Sequence, residues 1–121
     1  MDIPYKDIDE RLRPLIKRLN EMGFYTSGSC QGADFDSIEE YKSYKDNDGS
    51  HHQQAYIQFY DFRYIPEDLK DIIDLNKKLI FTYFFENEED TRCEVQSVSM
   101  LLNDEFHKEF HSILDEWEKQ K

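Results

Sequence analysis

Residues 55–85 have the sequence AYIQFYDFRYIPEDLKDIIDLNKKLIFTYFF, which predicts a strand, a helix and a second strand in succession. Its first six residues alternate in polarity, which is typical of a β-strand with one buried face. We expect one face of this strand to carry Tyr56, Gln58 and Tyr60, and the other to carry Ile57 and Phe59.

A helix and a further strand complete the stretch. Pro66 suits the first turn of a helix, and Glu67 and Asp68 stabilise the positive end of the helix dipole. The segment from Ile80 to Phe85 is apolar on both faces, which predicts a strand in the interior of a sheet. The apolar residues that would line the buried side of the helix are Leu69, Ile72, Ile73 and Leu79.

Helical spacing also appears on both sides of this stretch. Residues 8–22 predict a helix that ends at Gly23, where a left-handed cap is favoured. Pro14 leaves two alternatives open, because proline is tolerated only near a helix start. Either the regular helix begins near Arg13, or residues 8–12 form a separate kinked turn. Residues 104–119 predict a third helix, whose inward-facing residues are Phe106, Phe110, Ile113, Leu114 and Trp117.

Two more strands are predicted, over residues 24–27 and 92–100. The element order is then α-β-β-α-β-β-α. We therefore expect one α+β domain over residues 1–121, with a four-stranded antiparallel or mixed sheet and helices packed on it.

The composition is strongly acidic, with a formal net charge of -12 over 121 residues. Generic nucleic-acid binding is disfavoured, since a basic patch supplies most of that affinity. A protein partner with a basic surface stays possible, and so does the simpler reading that the charge serves solubility. The aromatic residues from Tyr56 to Tyr64 exceed what one small core needs, which allows for a homo-oligomer.

The sequence favours a cytoplasmic location. No apolar run is long enough to cross a bilayer, and residues 1–4 lack the basic-then-apolar pattern of a secretory signal. The two cysteines, Cys30 and Cys93, match neither a metal-type spacing nor a dense disulfide framework. We expect both thiols to be free and no membrane partner.

The sharpest local feature is the segment from Thr26 to Gly32, which follows a predicted strand. Small residues and hydroxyls in a turn can approach a ligand closely and form a concave site for an anion. The segment lacks a Walker lysine and the dinucleotide glycine pattern, and the alternative is a tight turn with helix-capping serines. The candidate ligand-binding residues are Thr26, Ser27, Gly28, Ser29, Cys30, Gln31, Gly32, Tyr56, Gln58 and Arg63. Arg63 could equally pair with a surface carboxylate.

Other reactive groups carry weaker hypotheses. Cys30 could act as a nucleophile with His51 or His52 as its base, but cysteine is more often a small buried residue. Two sets of residues could bind a metal ion. One set is Cys30, Asp34, Asp36, His51 and His52, and the other is His107 and His111 together with Asp115. The side chains of adjacent histidines point in different directions, and His107 and His111 are better explained as exposed helix residues. We therefore expect neither a metal nor a cofactor.

Residues 33–53 are expected to form a long polar loop that could close over a ligand.

The motifs of residues 8–59 resemble those of a family of small proteins common on phages and related mobile elements. The elements that carry the resemblance are Ile8-Asp9, Pro14, Leu19-Asn20-Glu21-Met22-Gly23, Thr26, Ser29-Cys30-Gln31-Gly32 and Tyr56-Ile57-Gln58-Phe59. The Ser-Cys-x-Gly element is also similar to one in the wybutosine-synthesis tRNA methyltransferases. Where the phage relatives carry histidine, this chain has Ala33, so any role of that histidine is absent here unless His51 or His52 substitutes for it.

The resemblance implies a counter-defence role without fixing an activity. Our leading hypothesis is a protein that binds a small anionic, nucleotide-derived molecule at the Ser29 loop. The hydroxyls of Thr26, Ser27 and Ser29 and the backbone of residues 28–32 would receive its phosphate or ribose. Tyr56, and also Tyr60, could stack on a base, and Gln58 could hydrogen-bond to its edge. The runner-up is an acidic inhibitor that occupies the basic site of a host nucleic-acid enzyme. A cysteine-dependent or methyltransferase-like enzyme comes third.

Overall fold

A computed structural model describes residues 8–32 and 54–120, apart from the side chain of Met100. The α-helices within these residues are α1 (Arg13–Glu21), α2 (Glu67–Leu75) and α3 (Asn103–Lys119). The strands are β1 (Thr26–Cys30), β2 (Tyr56–Phe59), β3 (Leu79–Tyr83) and β4 (Cys93–Ser97).

The four strands form a single sheet in the order β1-β2-β4-β3. Each neighbouring pair is antiparallel. The predicted α+β class and the element order α-β-β-α-β-β-α are confirmed, and the antiparallel alternative is the one realised.

The three helices pack on one face of the sheet. Ile57 and Phe59 of β2 and Val95 of β4 share one hydrophobic core with apolar residues of the helices. The predicted alternation along β2 is confirmed, because Ile57 and Phe59 are buried and Tyr56 and Gln58 are only half-buried. The helix residues of this core are Leu15, Ile16, Leu19, Leu69, Ile73, Phe106, Phe110, Ile113, Leu114 and Trp117.

Pro14 decides how the first helix begins. A 3-10 turn over Glu10–Leu12 precedes α1, and the regular helix begins at Arg13, which places the proline in the first turn. The ring is tolerated there because the first-turn amides have no partner within the helix. Gly23 has a φ of 89°, which confirms the predicted left-handed cap. The structure therefore combines the two alternatives for residues 8–22, with a separate turn before Arg13 and a regular helix that begins at Arg13.

The predicted bounds of β1 are wrong. The strand includes Gly28, Ser29 and Cys30, whereas Phe24 lies before it and donates its amide to Leu19 of α1 at 2.9 Å. Glycine and serine disfavour strands locally, but pairing with β2 overrides that preference. The expected turn over Gly28 to Cys30 is therefore absent, and the chain leaves the strand at Gln31.

The prediction of an interior strand at Ile80–Phe85 is also wrong. β3 begins at Leu79, which is therefore not part of α2, and β3 lies at one edge of the sheet. In the described part of the chain, no helix has the length and apolar character that crossing a bilayer demands.

Candidate functional site

The face of the sheet opposite the helices carries mostly polar side chains. Strand register places Cys30 beside Tyr56, and Tyr56 beside Gln96. The neighbouring row places Gly28 beside Gln58, and Gln58 beside Glu94. Directly paired side chains on one face lie about 4.5–5.5 Å apart at Cβ. These residues are half-buried and together form what we call the polar face.

Tyr56 lies at the centre of the charges on the polar face. Burial raises the pKa of its phenol, and the ionised forms of Cys30, Glu94 and Asp9 raise it further. The phenol therefore keeps its proton at neutral pH and can donate a hydrogen bond. The same contributions show that Asp9, just before the 3-10 turn, lies close to this end of the face.

Glu94 is the second perturbed group of the polar face. Burial raises the pKa of its carboxyl group, because a desolvated carboxylate is disfavoured. A half-buried carboxylate that costs stability is typical of functional sites. It lies beside Gln58 in the strand register, so a carboxyl group and an amide group occupy neighbouring positions on this face.

The loop after β1 has its amide donors engaged by groups of the chain itself. The backbone N–H of Gln31 donates to the carboxylate of Asp9 at 2.8 Å. The N–H of Gly32, whose φ is 80°, donates to Sγ of Cys30 at 3.4 Å. The concave anion site predicted for this segment would require both amides to be released.

The hydroxyl residues of β1 do not join the polar face. Ser29 pairs with Ile57 and Thr26 with Phe59, whose side chains are buried on the helix side. Thr26 is also held by Asn20, which donates from Nδ2 to the threonine Oγ1 at 3.1 Å. Ser27 is exposed where the register shifts.

Arg63 lies away from the end of the face that holds Cys30. It follows β2 at the Phe59 end, and its side chain is 67% exposed. Its Nη2 lies 2.6 Å from Oδ2 of Asp61. Hydrogen bonds from Arg63 hold the pKa of Asp61 below its usual value, so this arginine already has a carboxylate partner.

Of the candidate residues, the structure therefore brings Gly28, Cys30, Tyr56 and Gln58 together. Gln31 and Gly32 border them at the end of β1. Sequence reasoning missed Glu94 and Gln96. The signal was present, because CEVQS over Cys93–Ser97 alternates with period two and places these residues on one face.

Positive charge is scarce on the polar face. The four strands contain no lysine or arginine, and Arg92 directly precedes β4. Its Nη2 lies 2.9 Å from Oδ2 of Asp90 and 3.2 Å from Oε2 of Glu86. Its guanidinium lies 5.3 Å from the centre of the Phe84 ring. A phosphate group on this face would meet Glu94 and Asp9 with little compensating charge.

The cysteines are both free thiols, as expected. Cys30 is half-buried on the polar face. Cys93 is buried in the core, where desolvation raises the pKa of its thiol to about 12. His51 and His52, the proposed bases for Cys30, lie outside the described residues, as do Asp34, Asp36 and the predicted loop over 33–53.

The histidines of α3 are not exposed, contrary to expectation. His107 and His111 are half-buried, and Nδ1 of His111 lies 3.0 Å from Nη1 of Arg18 on α1. The Arg18 guanidinium thus occupies the Nδ1 side of the His111 ring. Within residues 8–32 and 54–120, no cluster of three or more ligand-type side chains fits a metal.

Comparisons with known proteins found no family model, no curated protein and no solved structure that matches this chain.

Proposed function

We propose that the chain is a small-ligand-binding protein whose ligand lies on the polar face. The observation that carries this proposal is the half-buried group formed by Tyr56, Gln58 and Glu94, in which burial raises the pKa of the two titratable members. At neutral pH the desolvated carboxylate of Glu94 costs stability, and a ligand that forms hydrogen bonds with the group would offset that cost.

The chemistry of the face favours a nucleoside-like ring. A tyrosine ring offers a stacking surface, and amide and carboxyl groups recognise the hydrogen-bonding edge of a base. Gly28 leaves room on this face, since among the described residues a Cβ there would meet Oε1 of Gln58 at 3.5 Å and no other atom within 4 Å. The ligand would lie over Gly28 and Gln58, with Tyr56 at its side.

This proposal moves the ligand away from the hydroxyls named in the sequence analysis. A nucleotide-derived molecule remains the proposed class, but the base rather than the phosphate makes the main contacts. Asp9 and Glu94 disfavour an anionic group on the face, and Gln31 already donates to a carboxylate.

The test begins with native mass spectrometry of protein purified without added ligand, followed by calorimetric titration with nucleosides and their monophosphates. Gln58→Leu should weaken nucleoside binding by roughly two- to tenfold, because a hydrogen bond contributes about 0.5–1.5 kcal/mol. Tyr56→Leu should weaken it further, since stacking on an aromatic ring contributes about 1–3 kcal/mol per base.

The matched control is Gln120→Leu, the same change at an exposed residue after α3. It should leave binding unaltered. If the purified protein carries no extra mass and no nucleoside binds, or if Gln58→Leu binds like the control, the proposal is wrong. If a monophosphate binds far better than its nucleoside, the ligand contacts the anion site predicted for the segment from Thr26 to Gly32 and not the polar face.

A second candidate function rests on a groove between α2 and α3. The groove has a volume of about 460 Å³, its carboxylates are Asp68, Asp71 and Glu116, and Ile72, Leu75 and Ile113 also line it. Leu75 is 82% exposed. An acidic groove with apolar walls suits a basic, amphipathic segment of a partner protein, which supports the hypothesis of an acidic inhibitor.

A further inference from the structure

The outer edge of β3 is unusually apolar for an edge strand. Ile80 is 40% exposed, Tyr83 is 36% exposed and Phe85 is 71% exposed. The segment from Leu79 to Phe85 contains no charged residue. Proteins usually protect an edge strand with charges, proline or a bulge, so an apolar edge without them indicates a partner strand.

The backbone of β3 presents a defined pattern at this edge. Phe84 donates its N–H to Arg92 at 3.1 Å, and Lys78 accepts from Val98 at 3.1 Å. Residues of even number thus direct their backbone groups towards β4, and alternation directs those of Leu79, Phe81 and Tyr83 outward. No other described strand pairs with this edge.

We propose that β3 pairs with β3 of a second copy of this chain, in antiparallel orientation about a two-fold axis at Phe81. In this register Phe81 lies opposite its own copy, and Leu79 lies opposite Tyr83 of the other chain. Every outward-facing backbone group then finds a partner, and each contact occurs twice, as an isologous interface requires. The sheet continues across both copies, with the two polar faces on the same side.

The charges around β3 favour a copy of the same chain over an unrelated strand. Two molecules of net charge -12 repel each other over most of their surfaces. Here the contact is charge-free, and it has Lys77 at one end and Glu86 at the other. Antiparallel pairing brings the lysine end of each copy to the acidic end of its partner, so the ends attract.

β3 is also held firmly from the helix side. Lys70 of α2 is 5% exposed, and its Nζ lies 5.4 Å from the Phe62 ring, 5.8 Å from Phe81 and 5.7 Å from Tyr83. The Tyr83 and Phe85 rings stack at 5.3 Å. A strand fixed in this way loses little conformational freedom when it pairs with another.

The first test is sedimentation equilibrium of the full chain over a wide concentration range. The wild type should form a dimer. Ile80→Lys combined with Thr82→Lys places like charges opposite each other across the axis, which should raise the dimer dissociation constant by roughly a hundredfold or more. The control is Tyr60→Lys combined with Tyr64→Lys. It adds the same charge at exposed residues that follow β2 and do not belong to β3, and this variant should still dimerise.

The second test fixes the register. Ile80 of one copy lies opposite Thr82 of the other in a pair without mutual hydrogen bonds, where a disulfide fits. Mixing Ile80→Cys chains with Thr82→Cys chains, both carrying Cys30→Ser, should give a disulfide-linked heterodimer on oxidation. Each variant alone should crosslink much less.

A chain that stays monomeric at every concentration overturns the proposal. So does an edge variant that associates like the control, or a single cysteine variant that crosslinks as well as the mixture. These outcomes do not depend on the ligand, so failure of the dimer leaves the proposed function standing, and the converse also holds.

Discussion

At the scale of single residues, Glu94 shows how a site can oppose stability. Burial raises the pKa of its carboxyl group in the folded chain above the value in the unfolded chain. Its favourable contribution to the free energy of unfolding is therefore present at low pH and is lost as the pH rises through the folded pKa. Near neutral pH the Glu94 carboxylate is a partly desolvated charge, which a glutamine at this position would not carry.

Glu94→Gln should therefore stabilise the chain at neutral pH, by about 0.5 kcal/mol as is common for such changes, and should weaken nucleoside binding. The gain should shrink as the pH falls towards the ordinary range of glutamate. Urea unfolding at several pH values measures it, with Glu88→Gln in the exposed β3–β4 turn as the control for net charge. A variant that loses stability at neutral pH would show that Glu94 makes a structural contact instead.

At the scale of elements, the packing of α1 on α3 depends on a neutral histidine. Burial and the nearby Arg18 lower the pKa of His111, and Asp115 opposes the shift. Arg18 Nη2 also lies 2.7 Å from Oδ1 of Asp115. Because the folded pKa is lowered, the unfolded chain binds more protons below the ordinary histidine pKa, about 6.5, and the free energy of unfolding falls there as the pH falls.

His111→Gln should flatten this dependence. Each proton taken up on unfolding contributes a slope of at most about 1.4 kcal/mol per pH unit. The measurement is urea unfolding on either side of the ordinary histidine pKa. His107→Gln is a useful comparison, since burial and Arg11 also lower the pKa of His107. An unchanged slope in both variants would contradict the assignment.

The elements also show what the sequence can predict. Periodicity located the three α-helices and β2 within the described residues, because burial of one face dictates the spacing of apolar residues along β2 and α3. It failed at β1, where Gly28 and Ser29 disfavour a strand and only pairing with a distant strand makes one. It also failed at β3, since an apolar strand at an edge has the same pattern as an interior one.

The candidate site was predictable only in part, for a related reason. Tyr56 and Gln58 follow from alternation within one strand. Cys30 was named from its own segment, and alternation along β4 marks Glu94, but that both adjoin Tyr56 and Gln58 follows only from the strand order, which local sequence does not encode. Arg63 was left with two roles because closeness in sequence to β2 does not reveal at which end of the sheet it lies, and the structure shows the pair with a carboxylate, Asp61.

At the scale of the whole molecule, net charge and local geometry make separable predictions. The acidic groove should bind a basic amphipathic peptide built of lysine and leucine, and added salt should weaken that binding. Asp71→Asn with Glu116→Gln should weaken it by roughly two- to thirty-fold, because each exposed ion pair contributes about 0.2–1 kcal/mol. Fluorescence anisotropy of the labelled peptide measures the affinity.

The decisive control is Glu88→Gln with Glu89→Gln, which changes the net charge equally but lies in the β3–β4 turn, away from the groove. If the groove exists as a docking surface, only the groove variant loses substantial affinity, and replacing the exposed Leu75 by aspartate also weakens binding. If both charge variants lose affinity equally, the peptide responds to the overall field of the protein. The acidity then serves solubility, and the inhibitor hypothesis loses its structural support.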